Sequence, residues 1–272
     1  MTEIGRPTYY SRVERWECDY NNHWNARFYG RSFQMAAEAL ATTPGAPGPG
    51  GAITPLRHLR FHRELFVSAP VEVRSARLAG GPQDGAVVHL LMSGGEISAT
   101  ALDLTPQPAA DLPEVTPEEV PLALPRGLGT TPMRDWPDAG AHDVTVPLGP
   151  VRPSDLDHTG ALLFEQIIRH SSVSSHAQLN HLGFTPEFSN RTGINRMGVE
   201  FLVSRGAAPL AGRPLFATSR LQAIKGKSFW AVHRVIDDMG EAVATIEQCL
   251  LTVDLNTRKA VAVPEFLYAA LD

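Results

Sequence analysis

Residues 71–78, Val-Glu-Val-Arg-Ser-Ala-Arg-Leu, alternate apolar and polar side chains, the period of a strand with one face buried. Residues 86–92 and 96–104 are rich in β-formers, and Ser93-Gly94-Gly95 between them reads as a turn. The same texture returns at 213–224, 228–237 and 241–254, with turns at Lys225-Gly226-Lys227 and Asp237–Gly240. Ahead of each strand set lies a stretch that reads as a long helix, at 26–41 and again at 162–182. One long helix and a run of antiparallel strands, met twice, predicts the α+β class, a helix packed on a curved sheet in each copy.

The two halves also echo one another in sequence. Gly95-Glu96-Ile97-Ser98-Ala99-Thr100 matches Gly240-Glu241-Ala242-Val243-Ala244-Thr245, at an offset of 145. The stretch from Val13 to Asp19 matches that from Val151 to Asp157 at 138, and Ser75-Ala76-Arg77-Leu78 is set against Thr218-Ser219-Arg220-Leu221 at 143. Leu112-Pro113-Glu114 and Val263-Pro264-Glu265 close the copies. The echoes keep their order, as an internal repeat requires. The expected organisation is a first unit over 1–110, a Pro-rich linker over 111–143 and a second unit over 144–272. Residues 43–51, dense in Pro and Gly, read as a loop.

Composition narrows the partners. The 272 residues are 43% hydrophobic and 19% charged, enough to build a sizeable core. The formal net charge of -5 disfavours nucleic acid as a partner. No apolar run approaches the ~20 residues of a membrane span, and no apolar leader opens the chain, so a cytoplasmic location is expected. Cys18 and Cys249 form no metal-ligand spacing. His170 and His176 stand six apart rather than four, so no metal is expected.

Candidate chemistry gathers ahead of the first helix. Asp19 precedes a helix whose first N–H groups are free to polarise a carbonyl. It suits a nucleophile or a general base, with His23 and Asn25 to orient it, a water or the substrate. The plainer reading is that Asp19 or Asn25 only caps the helix. Trp16, Trp24, Phe28 and Tyr29 cluster nearby in sequence, as acyl-pocket walls or as core. Arg60 and His62 lie in an alternating stretch with two further arginines, suited to a phosphate pocket or to a solvated strand face. Lys227 and Ser228 close the hairpin turn Lys225–Ser228, and Glu165 complements the dipole of the second helix.

The stretch Trp16-Glu17-Cys18-Asp19-Tyr20-Asn21-Asn22-His23-Trp24-Asn25 resembles the active-site signature of hot-dog-fold acyl-CoA thioesterases of the 4-hydroxybenzoyl-CoA type. Its Asp-Tyr-Asn form is most similar to the betainyl-CoA thioesterase subgroup. The resemblance implies a double hot-dog, two fused units forming a pseudo-dimer, and hydrolysis of an acyl thioester. Coenzyme A or phosphopantetheine would enter as part of the substrate, with no separate cofactor. The partner would be a small-molecule acyl thioester or an acyl-carrier protein, and the chain a monomer or a homodimer. By the same resemblance Asp19, His23 and Asn25 are the catalytic residues, and Trp24 narrows the acyl tunnel. Tyr29, Arg60, His62, Asp157, Glu165, Lys227 and Ser228 are the residues expected to line the substrate. The second copy keeps Asp157 and Gly160 but has Ala161 and Leu163 where His and Asn are expected. One working site around Asp19 follows, or a composite site using Glu165 or His158. The alternatives are a double hot-dog dehydratase or hydratase pairing His23 with Asp157 or Glu165, and a non-catalytic acyl-CoA-binding protein.

Overall fold

The computed structural model describes residues 4–19, 21–42, 54–104, 111–133, 136 and 140–271. The loop expected at 43–51, residues 105–110, linker residues 134–135 and 137–139, and Tyr20 of the signature lie outside the described residues. The chain forms two compact units: Met1–Arg126 with Asp157–Thr159 and Leu163–Ile168, and Gly127–Leu156 with Gly160–Leu162 and Arg169–Asp272.

In the first unit, β1 (Arg6–Arg12), α1 (Ala26–Ala41), β2 (Leu56–Phe61), β3 (Pro70–Leu78), β4 (Val87–Ser93), β5 (Glu96–Asp103) and β6 (Glu114–Val115) follow in order. The sheet runs β1-β3-β4-β5-β2, all antiparallel, with β6 added in parallel beside β3. Val87, His89 and Leu91 of β4 share one face, and Phe33 of α1 packs against His89, ring centres 6.3 Å apart. Val88 and Leu90 point the other way, into a cluster with Leu78, Leu102, Val115, Val120 and Ala123. Both faces of β4 are therefore buried, which is why it reads as a continuous apolar run rather than an alternating one.

The stretch from 111 to 126, expected as linker, is packed onto this unit. Arg60 donates through Nη1 to the carbonyls of Leu122 (2.9 Å) and Leu124 (2.8 Å), and Thr100 donates to Leu122 as well. Residues 127–133 are held in the second unit. There Gly127 and Leu128 donate their N–H groups to buried Glu200, and Met133 donates to Glu247.

The second unit holds β7 (Val144–Pro150), most of α2 (Phe164–His181), α3 (Pro186–Thr192), β8 (Ile194–Arg205), β9 (Pro214–Lys225), β10 (Ser228–Asp237), β11 (Ala242–Asp254) and β12 (Lys259–Ala260). Its sheet runs β8-β11-β10-β9-β7, antiparallel throughout, with β12 on β11. Leu179 and Phe184 close its core with Leu221, Phe229, Leu250 and Leu267.

The repeat extends to buried polar groups. Ser75 bonds His89 Nδ1 at 2.8 Å, and Ser219 bonds His233 Nδ1 at 2.6 Å. Both pairs are related by an offset of 144 (219 less 75, 233 less 89), so Ser75 corresponds to Ser219 rather than to Thr218. In the first unit His89 Nε2 faces Asp103 (3.4 Å), whose carboxylate takes two bonds from buried Arg57 at 2.6 and 2.9 Å. Burial alone would push the Asp103 carboxyl up, but the charge and hydrogen bonds of Arg57, with His89, hold it well below the usual carboxylate range. In the second unit Gln248 stands in place of the acid, and its Oε1 accepts from His233 Nε2 at 3.0 Å. Without a charged partner, burial lowers the His233 pKa to about 4.

Candidate active site

The signature residues form a closed loop between a short 3-10 turn, Arg15–Glu17, and α1. Asp19 fixes it from inside. Its Oδ1 accepts from the N–H groups of Asn21 (2.8 Å) and His23 (3.1 Å), and its own N–H donates to the His23 carbonyl at 2.8 Å. Asn22 takes a positive φ of 62°, a region that Asn tolerates better than most side chains. Among the described residues no donor reaches Asp19 Oδ2. Cys18 and Trp24 pair as an isolated bridge and close the loop at its base.

His23 sits at the far side of this loop. Its Nδ1 lies 3.1 Å from Glu64 Oε1, and Phe66 packs edge-on against its ring with centres 5.2 Å apart. Trp24 donates its N–H to the Leu65 carbonyl at 2.7 Å, so residues 64–66 run alongside the loop. Tyr29 reinforces the same segment: its hydroxyl donates to the Arg63 carbonyl and accepts from the Leu65 N–H. Burial raises the Tyr29 phenol well above its ordinary range, so it stays protonated in that role.

Asn25 is the N-cap of α1, its side-chain oxygen accepting from the Arg27 N–H at 3.1 Å. Trp24 is buried, its indole N–H donating to Glu17 at 2.8 Å and its rings packed on Phe28 and Tyr29. Trp16 is exposed and meets Phe28 edge-on. Glu165 pairs with Arg27 (3.4 Å) and lies 3.9 Å from Arg31 Nε, beside an open cavity of about 230 Å³ lined by Arg31, Gln34, Met35, Glu38, Leu163 and Glu165.

The other expected site residues are engaged elsewhere. Arg60 spends its guanidinium on the carbonyls of Leu122 and Leu124, and His62 Nε2 bonds Thr100 at 3.2 Å. Lys227 and Ser228 lie at the hairpin between β9 and β10, where Ser228 pairs across the strands with Lys225 and Leu251. The hydratase alternative needed His23 beside Asp157 or Glu165. Instead, His23 faces Glu64 and Glu165 faces two arginines. Among the described residues no group of three His, Cys, Asp or Glu is arranged to hold a metal.

Two acids escaped the sequence reading. Glu64 follows β2 and meets His23 only through the fold. Glu17 is buried at 2% exposure under the loop. A signal existed for Glu17: an acid two residues before Asp19, in a stretch otherwise marked for its aromatics.

The second copy repeats the loop without its chemistry. The 3-10 turn Pro153–Asp155, the bridge Leu156–Leu162 and the start of α2 at Phe164 match Arg15–Glu17, Cys18–Trp24 and Ala26 at an offset of 138 (153 less 15, 162 less 24). Gly160 takes the positive φ that Asn22 takes in the first loop. Asp157 Oδ1 bonds the N–H and hydroxyl of Thr159.

No family model matches the chain. Among curated proteins it is similar to an L-carnitine dehydrogenase/betainyl-CoA thioesterase of Agrobacterium fabrum, 29% identical over 117 residues. The match covers 43% of this chain and only 24% of that protein, so the chain spans about a quarter of the relative's length. Solved structures match it nearly end to end. One is a Lactobacillus plantarum protein carrying a provisional oleoyl thioesterase assignment (TM-score 0.61, 12% identity, 90% of this chain and 95% of that one). Another is an acyl-ACP thioesterase of Bacteroides thetaiotaomicron (TM-score 0.56, 14% identity, 89% and 96%). A third is a conserved hot-dog-fold protein of unknown function from Alicyclobacillus acidocaldarius (TM-score 0.56, 13% identity, 92% and 94%). The fold is the hot-dog fold, and the chain resembles hot-dog thioesterases in architecture.

Proposed function

We propose that the chain is a tandem double hot-dog enzyme that hydrolyses an acyl thioester at a site in its first copy. The observation that carries this reading is the loop of Asp19, His23 and Asn25 at the start of α1. One Asp19 oxygen is fixed by two backbone N–H groups, and no donor among the described residues reaches the other. The fixed oxygen sets the geometry. Oδ2 is the atom that attacks the thioester carbonyl, or that takes a proton from an attacking water. His23, with Nδ1 turned to Glu64, presents Nε2 as the second polar group of the site. Asn25 acts through the cap, fixing the helix N-terminus that faces the developing oxyanion. The second copy lacks the His and the Asn and serves as scaffold.

The substrate is an acyl-CoA or an acyl group on a carrier protein. Support comes from the curated relative, which includes betainyl-CoA thioesterase in its name, and from a structural neighbour that acts on acyl-ACP. The test is thiol release, followed with a chromogenic disulfide, from a panel of acyl-CoAs and acylated carrier protein. Turnover of at least one substrate above the uncatalysed rate is expected. No release from any member would overturn the reading.

A further inference from the structure

Glu17 is a carboxylate at 2% exposure, and each of its polar groups is committed. Oε2 accepts from the Trp24 indole (2.8 Å) and from the Glu14 N–H (3.1 Å); Oε1 pairs with Arg31. Its backbone carbonyl accepts from the Asn25 N–H at 3.0 Å. Glu17 thus grips residues 24 and 25, while Asp19 grips 21 and 23 from within the loop. Arg31 carries the contact on to Glu165, which also holds Arg27 in the first turn of α1.

Burying a carboxylate costs several kcal/mol even when it is paired. The second copy shows that the loop frame does not need it. There Asp155 makes the same turn, accepting from the Arg152 N–H at 2.8 Å, but it is one methylene shorter and only half-buried. Leu162 stands where Trp24 stands, so no indole is presented to it, yet the bridge and the following helix still form. The buried acid and the indole occur together in the copy that also carries His23 and Asn25. All four are replaced in the other. A feature the frame can do without, kept where the polar set is kept, serves the polar set.

We infer that Glu17 is a positioning residue for the reaction: with one carboxylate oxygen on the Trp24 indole and its charge paired with Arg31 of α1, it sets His23 and the α1 N-terminus against Asp19. This rests on the thioesterase reading above. A loop displaced by about 1 Å can cost ~10²-fold in rate without loss of fold.

The experiment compares wild type, Glu17→Gln and Asp155→Asn in the full chain, measuring kcat, KM and Tm on the best substrate of the panel. Glu17→Gln keeps a carbonyl oxygen for the indole and removes the charge paired with Arg31. The expected result is a fall of roughly tenfold to a hundredfold in kcat, with KM within about threefold and a folded protein at assay temperature. Glu17→Asp should recover part of the loss, and Asp155→Asn should behave as wild type. If Glu17→Gln keeps kcat within twofold, or loses activity only in step with unfolding, the inference is overturned and the thioesterase reading stands. Wild type inactive on every substrate overturns both.

Discussion

His23 Nδ1 lies 3.1 Å from Glu64 Oε1, across a gap of forty-one residues in sequence. In the proposed reaction, Glu64 holds the bonded nitrogen as a donor and leaves Nε2 to face the substrate. Phe66 packs edge-on against the same ring.

Removal of Glu64 should therefore weaken catalysis more than binding. Glu64→Ala is expected to lower kcat by about tenfold to a hundredfold, less than the ~10²–10⁴-fold contribution of a positioned acid–base group itself, with KM little changed. Steady-state kinetics on the best acyl-CoA checks this. An unchanged kcat would mean that the pair has no part in turnover.

His233 gives the second unit an acid-sensitive core. Its folded pKa, about 4, is below the ~6.5 of an unfolded histidine. The unfolded chain therefore binds the extra proton first. The stabilisation is fully present above pH ~6.5 and is lost as pH falls from there toward 4, by roughly 3 kcal/mol in all. Tm measured from pH 7.5 to 4.5 should drop, and His233→Asn should flatten that part of the curve. The same slope in wild type and variant would assign the acid sensitivity to other groups.

The helices and the strands with strong patterns were legible. The long helix expected at 26–41 is α1, and 228–237 is β10. β8 (Ile194–Arg205) shows no clear alternation because Asn195, Arg196 and Glu200 interrupt its apolar positions; buried Glu200 accepts from two backbone N–H groups. Residues 111–126 read as linker because Pro and Glu dominate them. Their apolar residues, among them Leu112, Val115, Val120, Ala123 and Leu124, follow neither a helical nor a strand period, and Val115, Val120 and Ala123 find a core only with residues of β3, β4 and β5. At the site, Asp19, His23 and Asn25 fall within seven residues, so a local reading could find them. Glu64 reaches His23 only through the fold. Arg60 reads as a phosphate ligand because sequence shows its charge but not the carbonyls of Leu122 and Leu124 that it meets.

The central claim is one working carboxylate in the first copy, and parallel assays of Asp19→Ala and Asp157→Ala test it most directly. Both aspartates accept local backbone N–H groups in matching loops, so loss of a turn contact is common to the two variants. Thiol release is expected to fall by ~10²–10⁴-fold in Asp19→Ala and to stay near wild type in Asp157→Ala. Equal activity in the two variants, or loss confined to Asp157→Ala, would contradict the account.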